Sequence, residues 1–196
     1  MATSRAKKRI PGPDVGEHLP MLLDEKKFPP LVESEWVAKV KYDGYRVLAQ
    51  FGDGACSLRT KNGADCTKCF PEVSTQLSEI ECARMVVDGE MCILDGLGST
   101  DFDALHSRAR RRRYAPGDTP VTYCVFDIVV SESQSAMGLP LLERKAILAG
   151  LLADPPPNVY SRATSTQAMS KIPCLGCTLT LRPQLVSPTE HKKFGV

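Results

Sequence analysis

Residues 36–60 read WVAKVKYDGYRVLAQFGDGACSLRT, and this stretch decides the fold class. Trp36 to Lys41 alternates and is β-branched, which predicts a strand. Asp43–Gly44 is a turn signal. Tyr45 to Phe51 predicts a second strand, Gly52–Asp53–Gly54 a hairpin turn, and Ala55 to Thr60 the return strand. Strands joined this closely pair antiparallel.

Outward from this hairpin, Pro71 suits the first turn of a helix running to about Cys82. Arg84 to Asp88 and Glu90 to Leu94 predict strands on either side of Asp88–Gly89, and Phe102 to Arg113 predicts a helix. VTYCVFDIVV, residues 121–130, is the most strand-like run in the chain, and Pro140 to Leu152 is an amphipathic helix. The reading is an α+β fold with mostly antiparallel sheets flanked by helices. No GxGxxG and no GxxxxGK[ST] phosphate loop is present.

The chain has 196 residues, with 25 Lys+Arg against 23 Asp+Glu, 42% hydrophobic and 24% charged. That composition is globular and large enough for one core. No run approaches the roughly 18–20 apolar residues of a membrane span, so no membrane association is expected. Met1 to Pro13 is basic and turn-rich with no apolar stretch behind it, which argues against a secretory signal and for a cytoplasmic protein. Three segments are expected: a basic lead-in over 1–19, a domain over 20–153, and an irregular tail over 154–196. Six of the 15 prolines fall in that tail, and its periodicity fades after Tyr160, as a shifted reading frame would produce.

Most of the eight cysteines in such a chain are expected to be reduced thiols. Cys66–Cys69 and Cys174–Cys177 have ligand-like spacing and would together offer four thiolates to zinc; the alternative is small apolar side chains. The three histidines, His18, His106 and His191, form no HExxH, which argues against a zinc hydrolase.

The segment with chemistry is Lys41–Tyr42–Asp43–Gly44–Tyr45–Arg46. A lysine closes a strand, a tight turn follows, and an arginine leads the next strand. A lysine is a nucleophile only when deprotonated, so it needs desolvation or cationic neighbours to bring its pKa down from about 10.4. Arg46 would supply such a neighbour and a fork for phosphate oxygens. The same residues also fit an ordinary hairpin with solvated charges.

Lys-x-Asp-Gly-x-Arg resembles motif I of the covalent nucleotidyltransferases: ATP-dependent DNA ligases, RNA ligases and mRNA-capping enzymes. Further points of resemblance follow in order. They are Thr60–Lys61–Asn62–Gly63, Phe70–Pro71–Glu72, Val86–Val87–Asp88–Gly89–Glu90 (motif III), Tyr123 to Ile128 (motif IIIa), and Pro140–Leu141–Leu142–Glu143–Arg144–Lys145. The last is similar to a helix of DNA ligases in particular. The likeness spans about residues 20–153, entered at Pro20–Met21–Leu22, and is closest to the ligase module of bacterial end-joining ligases.

The resemblance implies a nucleotidyltransferase (ATP-grasp-like) adenylation domain using ATP and Mg²⁺. Lys41 would attack the α-phosphate and form lysyl-AMP. Arg46 and Lys61 would bind the nucleotide, Glu90 would contact ribose or metal, and Phe126 would stack on adenine. The substrate implied is nicked double-stranded DNA, sealed by a monomer in repair and recombination. From the residues themselves, Arg108, Arg110, Arg111, Arg112 and Arg113 put five arginines within six positions, which would hold duplex phosphates; the alternative is a solvated helix end with cations favourably near its C-terminus.

The chain also departs from the pattern. Lys39 stands where the family usually has an acid, and Lys61 stands for an arginine. After Glu143 the only glutamate is Glu190, followed by His191, so no Glu-Gly-x-Val motif IV is present; Lys192–Lys193 is not the Lys-x-Lys of motif V. An incomplete, C-terminally truncated domain with impaired adenylation is therefore expected. RNA ligase or capping chemistry, an inactive DNA-binding remnant and a zinc module are the alternatives.

Overall fold

The structure, a computed structural model, describes residues 42–95 and 98–161, together with the backbone of two short strands at 37–39 and 184–186. Lys41, Trp36, the segment 1–19, Cys174, Cys177 and Glu190 to Lys193 lie outside the described residues, so the readings placed on them are not tested there.

β1 (Val37–Lys39) is followed by β2 (Tyr45–Gly52) and β3 (Ala55–Thr60), then a 3-10 turn (Thr67–Cys69) and α1 (Pro71–Ser78). β4 (Met85–Cys92), α2 (Phe102–Arg110), β5 (Thr122–Ser131), β6 (Gln134–Ser135), α3 (Leu141–Leu151), β7 (Val159–Ser161) and β8 (Gln184–Val186) complete the order. The main sheet runs β3-β2-β4-β5-β6, with β7 added beside β5 as its one parallel pairing. No helix among the described residues is long and apolar enough to cross a membrane.

The β2–β3 hairpin forms as its sequence predicts, with Gly52 opposite Ala55. Asp53 and Gly54 take φ of 52° and 72°, the doubly positive geometry that matches strand twist. β2 is buried on both faces from Val47 onward. Val47, Ala49 and Phe51 are fully buried on one face, in the cluster with Leu58, Val87 and Tyr123, and Arg46 falls on the other.

Four readings need correction. β1 does not pair with β2 across Asp43–Gly44; its partner is β8. The segment instead passes over the end of β4, where a Cβ on Gly44 would stand 2.2 Å from the Met91 carbonyl oxygen. Asp88–Gly89 does not separate two strands: β4 runs through both. Glycine is required there because a Cβ would meet the Cys124 carbonyl oxygen and the Tyr123 ring at 2.7 Å. α1 stops at Ser78, and the chain beyond turns to the hairpin tip, where the Asp53 N–H donates to the Cys82 carbonyl at 3.2 Å. α2 stops at Arg110, closed by bonds from the Arg111 and Arg112 N–H groups to the Arg108 and Ala109 carbonyls, with Arg112 at φ 54°.

The sheet also continues past residue 153. β7 pairs with β5, and Asn158 is fixed by Gln76 and by the Val121 carbonyl. The prolines of Asp154–Pro157 had masked this short strand.

Candidate functional site

Three neighbouring strands bring Arg46, Glu90 and Phe126 to one face. Arg46 pairs with Glu90 across the β2–β4 ladder, and Glu90 pairs with Cys124 across β4–β5. β4 and β5 then slip register, Gly89 opposite Val125 but Asp88 opposite Asp127, which makes Phe126 the extra residue of a bulge. The bulge turns the Phe126 ring to the Arg46 side, where the guanidinium carbon lies 4.5 Å from the ring centroid.

Arg46 is held by a residue that the sequence reading passed over. Its Nε donates to Asp88 Oδ1 at 2.6 Å and its Nη2 to Oδ2 at 2.7 Å. The fork expected for phosphate is thus engaged by a carboxylate. Burial alone pulls the Arg46 pKa down, but the Asp88 hydrogen bonds and the charges of Asp88 and Glu90 outweigh it and hold the pKa above its ordinary value. Asp88 was legible as the aspartate before Gly89; its same-face, two-residue spacing from Glu90 was the available signal.

Glu90 has no such partner within salt-bridge distance among the described residues. Burial raises its pKa to about 7, with Asp88 and Asp43 adding to the rise and Arg46 and Lys61 opposing it. Lys61 is exposed, follows β3, and donates its backbone N–H to the Arg46 carbonyl at 3.1 Å. Beneath Glu90 lie the buried thiols Cys92 and Cys124; their mutual hydrogen bond, then burial, pushes the Cys92 pKa far up.

α3 supports this face from behind. Arg144, only 1% exposed, donates to Asp127 at 2.9 and 3.1 Å and to the Leu139 carbonyl at 2.6 Å. Lys145 Nζ donates to the Phe126 carbonyl. The bulge residue and the one after it are therefore both held from one helix.

The chain matches a family model described as the ATP-dependent DNA ligase domain over residues 20–174. It belongs to that family. A multifunctional non-homologous end joining protein LigD of Pseudomonas aeruginosa is 35% identical over 118 residues, 60% of this chain and 14% of that protein. An SPbeta prophage-derived DNA ligase-like protein LigB of Bacillus subtilis is 32% identical over 142 residues, 72% of this chain and 49% of that one. A solved mycobacterial DNA ligase D, complexed with ATP, superposes with a TM-score of 0.58 at 25% identity, over 88% of this chain and 48% of that chain. The chain thus spans half or less of the length of these relatives. Its α+β fold is that of the ligase nucleotidyltransferase domain, as the motif order implied.

The arginine run divides on this ligase fold. Arg108 is 3% exposed, pairs with Glu72 at 2.6 Å and donates to the Thr119 and Cys69 carbonyls, so it is an internal brace and not a duplex contact. Its helical position put it on the inward face with Leu105. Arg111 pairs with Asp118. Arg110, Arg112 and Arg113 are exposed and, among the described residues, meet no acid within ion-pair distance.

Among the described residues no three His, Cys, Asp or Glu side chains gather as a metal site. Cys66 is buried, and its thiol is pushed up to about 12 by that burial and by Cys69. Cys69 is raised too, by burial first.

Proposed function

We propose that this chain is the adenylate-accepting part of a DNA ligase, with Lys41 as its nucleophile. The observation that supports it is the meeting of Arg46, Glu90 and Phe126 on one face beside the segment that leaves Lys41. Asp43, two residues on from Lys41, is close enough for Glu90 to feel its charge.

In the proposed reaction the Lys41 amine forms a bond to the α-phosphorus of ATP, and the bond to the β-phosphate oxygen breaks, releasing pyrophosphate. Phe126 offers an aromatic face to the purine, and the purine replaces the guanidinium now lying over the ring. Lys61 and Arg46 supply positive charge beside the phosphates. Glu90 suits a hard cation that draws its other ligands from phosphate and water. A bound Mg²⁺ would neutralise phosphate charge and orient the leaving group. AMP then passes to the 5′-phosphate at a DNA nick, and the 3′-hydroxyl displaces it. Nicked duplex DNA, a role in repair and recombination, monomeric action and a cytoplasmic setting complete the proposal.

Transfer by this chain is expected to be weak or absent, because residues 144–196 hold no Glu-Gly-x-Val and no Lys-x-Lys. Incubation with α-labelled ATP and Mg²⁺, followed by denaturing electrophoresis, tests both parts. Faint label that Lys41→Ala abolishes supports the nucleophile and the impairment. Robust label on wild type refutes the impairment, and label that survives Lys41→Ala refutes the nucleophile.

A further inference from the structure

We propose that the solvent face of α2 binds an unpaired DNA strand, its bases stacking on Phe102 and His106 and its phosphates lying along Arg110 and Arg113. This rests on the reading of the chain as one that acts on DNA, and goes beyond it by naming a second surface and the strand state it selects.

Phe102 opens the helix and remains 37% exposed, although Leu105 of the same helix is fully buried. Its ring lies near parallel to that of His106, at 18° and 5.9 Å between centroids. Tyr45 meets both rings edge-on, at 5.8 and 6.2 Å, and its hydroxyl lies 2.5 Å from His106 Nδ1. Asp101 caps the helix by accepting from the Ala104 N–H at 2.9 Å, so the first turn that carries the platform is fixed. An exposed apolar ring in a fixed orientation is a ready stacking surface for any base.

Arg110 continues the same face, and Arg113 follows three residues past the end of the helix. Residues 102, 106 and 110 are spaced i, i+4 and i+8, which sets them along one side of the helix, about 6 Å apart in rise. Arg108 and Arg111 are neutralised internally, whereas Arg110, Arg112 and Arg113 are left to solvent without an acidic partner among the described residues. Asp101 and Asp103 sit at the aromatic end, which keeps phosphates toward the arginine end. Tyr45 also walls a cavity of about 480 Å³ whose lining includes Lys68, Arg112 and Asp65, next to where a stacked base would lie. A duplex hides its base faces and needs only cations; a ring platform adds affinity for bases out of the stack. Tyr45 adjoins Arg46 in β2 but points to the opposite face of the sheet, so this surface is separate from the Arg46–Glu90–Phe126 face.

Fluorescence anisotropy of the full chain with a labelled oligothymidylate and with a blunt duplex of equal length tests the proposal. The single strand is expected to bind more tightly. Phe102→Leu keeps apolar bulk but removes the ring, and should weaken single-strand binding by about tenfold while leaving duplex binding and circular dichroism unchanged. Should that variant fail to fold, Phe102→Trp retains the ring, and added single strand should quench its emission beyond the wild-type change. Equal affinity for both DNA forms, an unaffected Phe102→Leu, or a Phe102→Trp emission that does not respond overturns the inference. Duplex binding without single-strand preference refutes only this surface. A chain that binds neither form overturns the DNA reading with it, while Lys41 labelling reports on adenylation separately.

Discussion

Replacing Asp88 with asparagine tests how the candidate site is held. The Asp88 side chain is 7% exposed and receives two charge-assisted bonds from Arg46, which is 24% exposed. Asp88→Asn keeps the shape and removes the charge, leaving a largely buried guanidinium against a neutral amide. Removing one partner of a fully buried pair costs about 3–5 kcal/mol. Water reaches part of Arg46, and the amide oxygen still accepts one bond, so the expected loss is about 2 kcal/mol. Arg46→Met should cost more, about 3 kcal/mol, because the carboxylate that loses its two charge-assisted bonds is the more buried group. The double variant leaves neither charge and should recover at least about 1.5 kcal/mol of the summed losses. Urea denaturation of the wild type, the two single variants and the double variant measures all four corners. Additive losses, or an Asp88→Asn chain within about 0.5 kcal/mol of wild type, would show that the pair does not hold Arg46 in place.

Glu90, with its pKa raised to about 7 by burial, favours the protonated fold: that stabilisation is complete below the ordinary carboxylate value near 4.5 and is lost as pH rises through about 7. Glu90→Gln should remove up to about 3 kcal/mol of pH-dependent stability across that window, and a denaturation profile as steep as wild type refutes the assignment. Gly89→Ala forces a Cβ to within 2.7 Å of the Cys124 carbonyl and the Tyr123 ring and should destabilise by about 2 kcal/mol; wild-type stability would show that β4 and β5 yield there. Arg108→Met should lower the melting temperature, whereas Arg113→Ala should leave it unchanged and reduce the salt slope of DNA binding by about 1; the reverse pattern would mean that Arg108 is a surface contact.

Local chemistry made much of the fold legible. Asp53–Gly54 can adopt doubly positive φ, and Val47, Ala49 and Phe51 share the face that enters the main apolar cluster, so the first hairpin followed from its residues. The second hairpin did not. Its turn residues, Glu132 and Ser133, take φ of 49° and 67° with no glycine, and are held from outside by the Arg84 carbonyl and the Met85 sulfur. Gly89 misled for a related reason: a glycine that signals a turn by propensity is here a strand residue, selected by the tyrosine ring pressed against it. The ordered motifs picked out Arg46, Glu90 and Phe126, which lie on one face in the fold; the spacing of Asp88 from Glu90 marked that residue, but nothing within a single strand announced its pairing with Arg46, 42 positions away. Nor could a count of arginines distinguish Arg108, braced by Glu72, from the exposed members of its run.

The Pro140–Lys145 segment shows why a motif can identify a family without touching its chemistry. A bulge is an unpaired residue in a ladder, and by itself leaves Phe126 free to settle with either neighbour. Here Lys145 takes the Phe126 carbonyl, and Arg144 takes both oxygens of the Asp127 carboxylate on the next residue. Arg144 is in turn fixed by the Leu139 carbonyl at the start of its own helix, so its fork cannot follow Asp127 if β5 slips. Pro140 and the leucines at 141 and 142 set where α3 begins, and that start sets the reach of both cations. The Arg-Lys pair is thus a clamp on a bulge: one helix holds the Phe126 main chain and the Asp127 side chain, while the Phe126 ring lies beside Arg46.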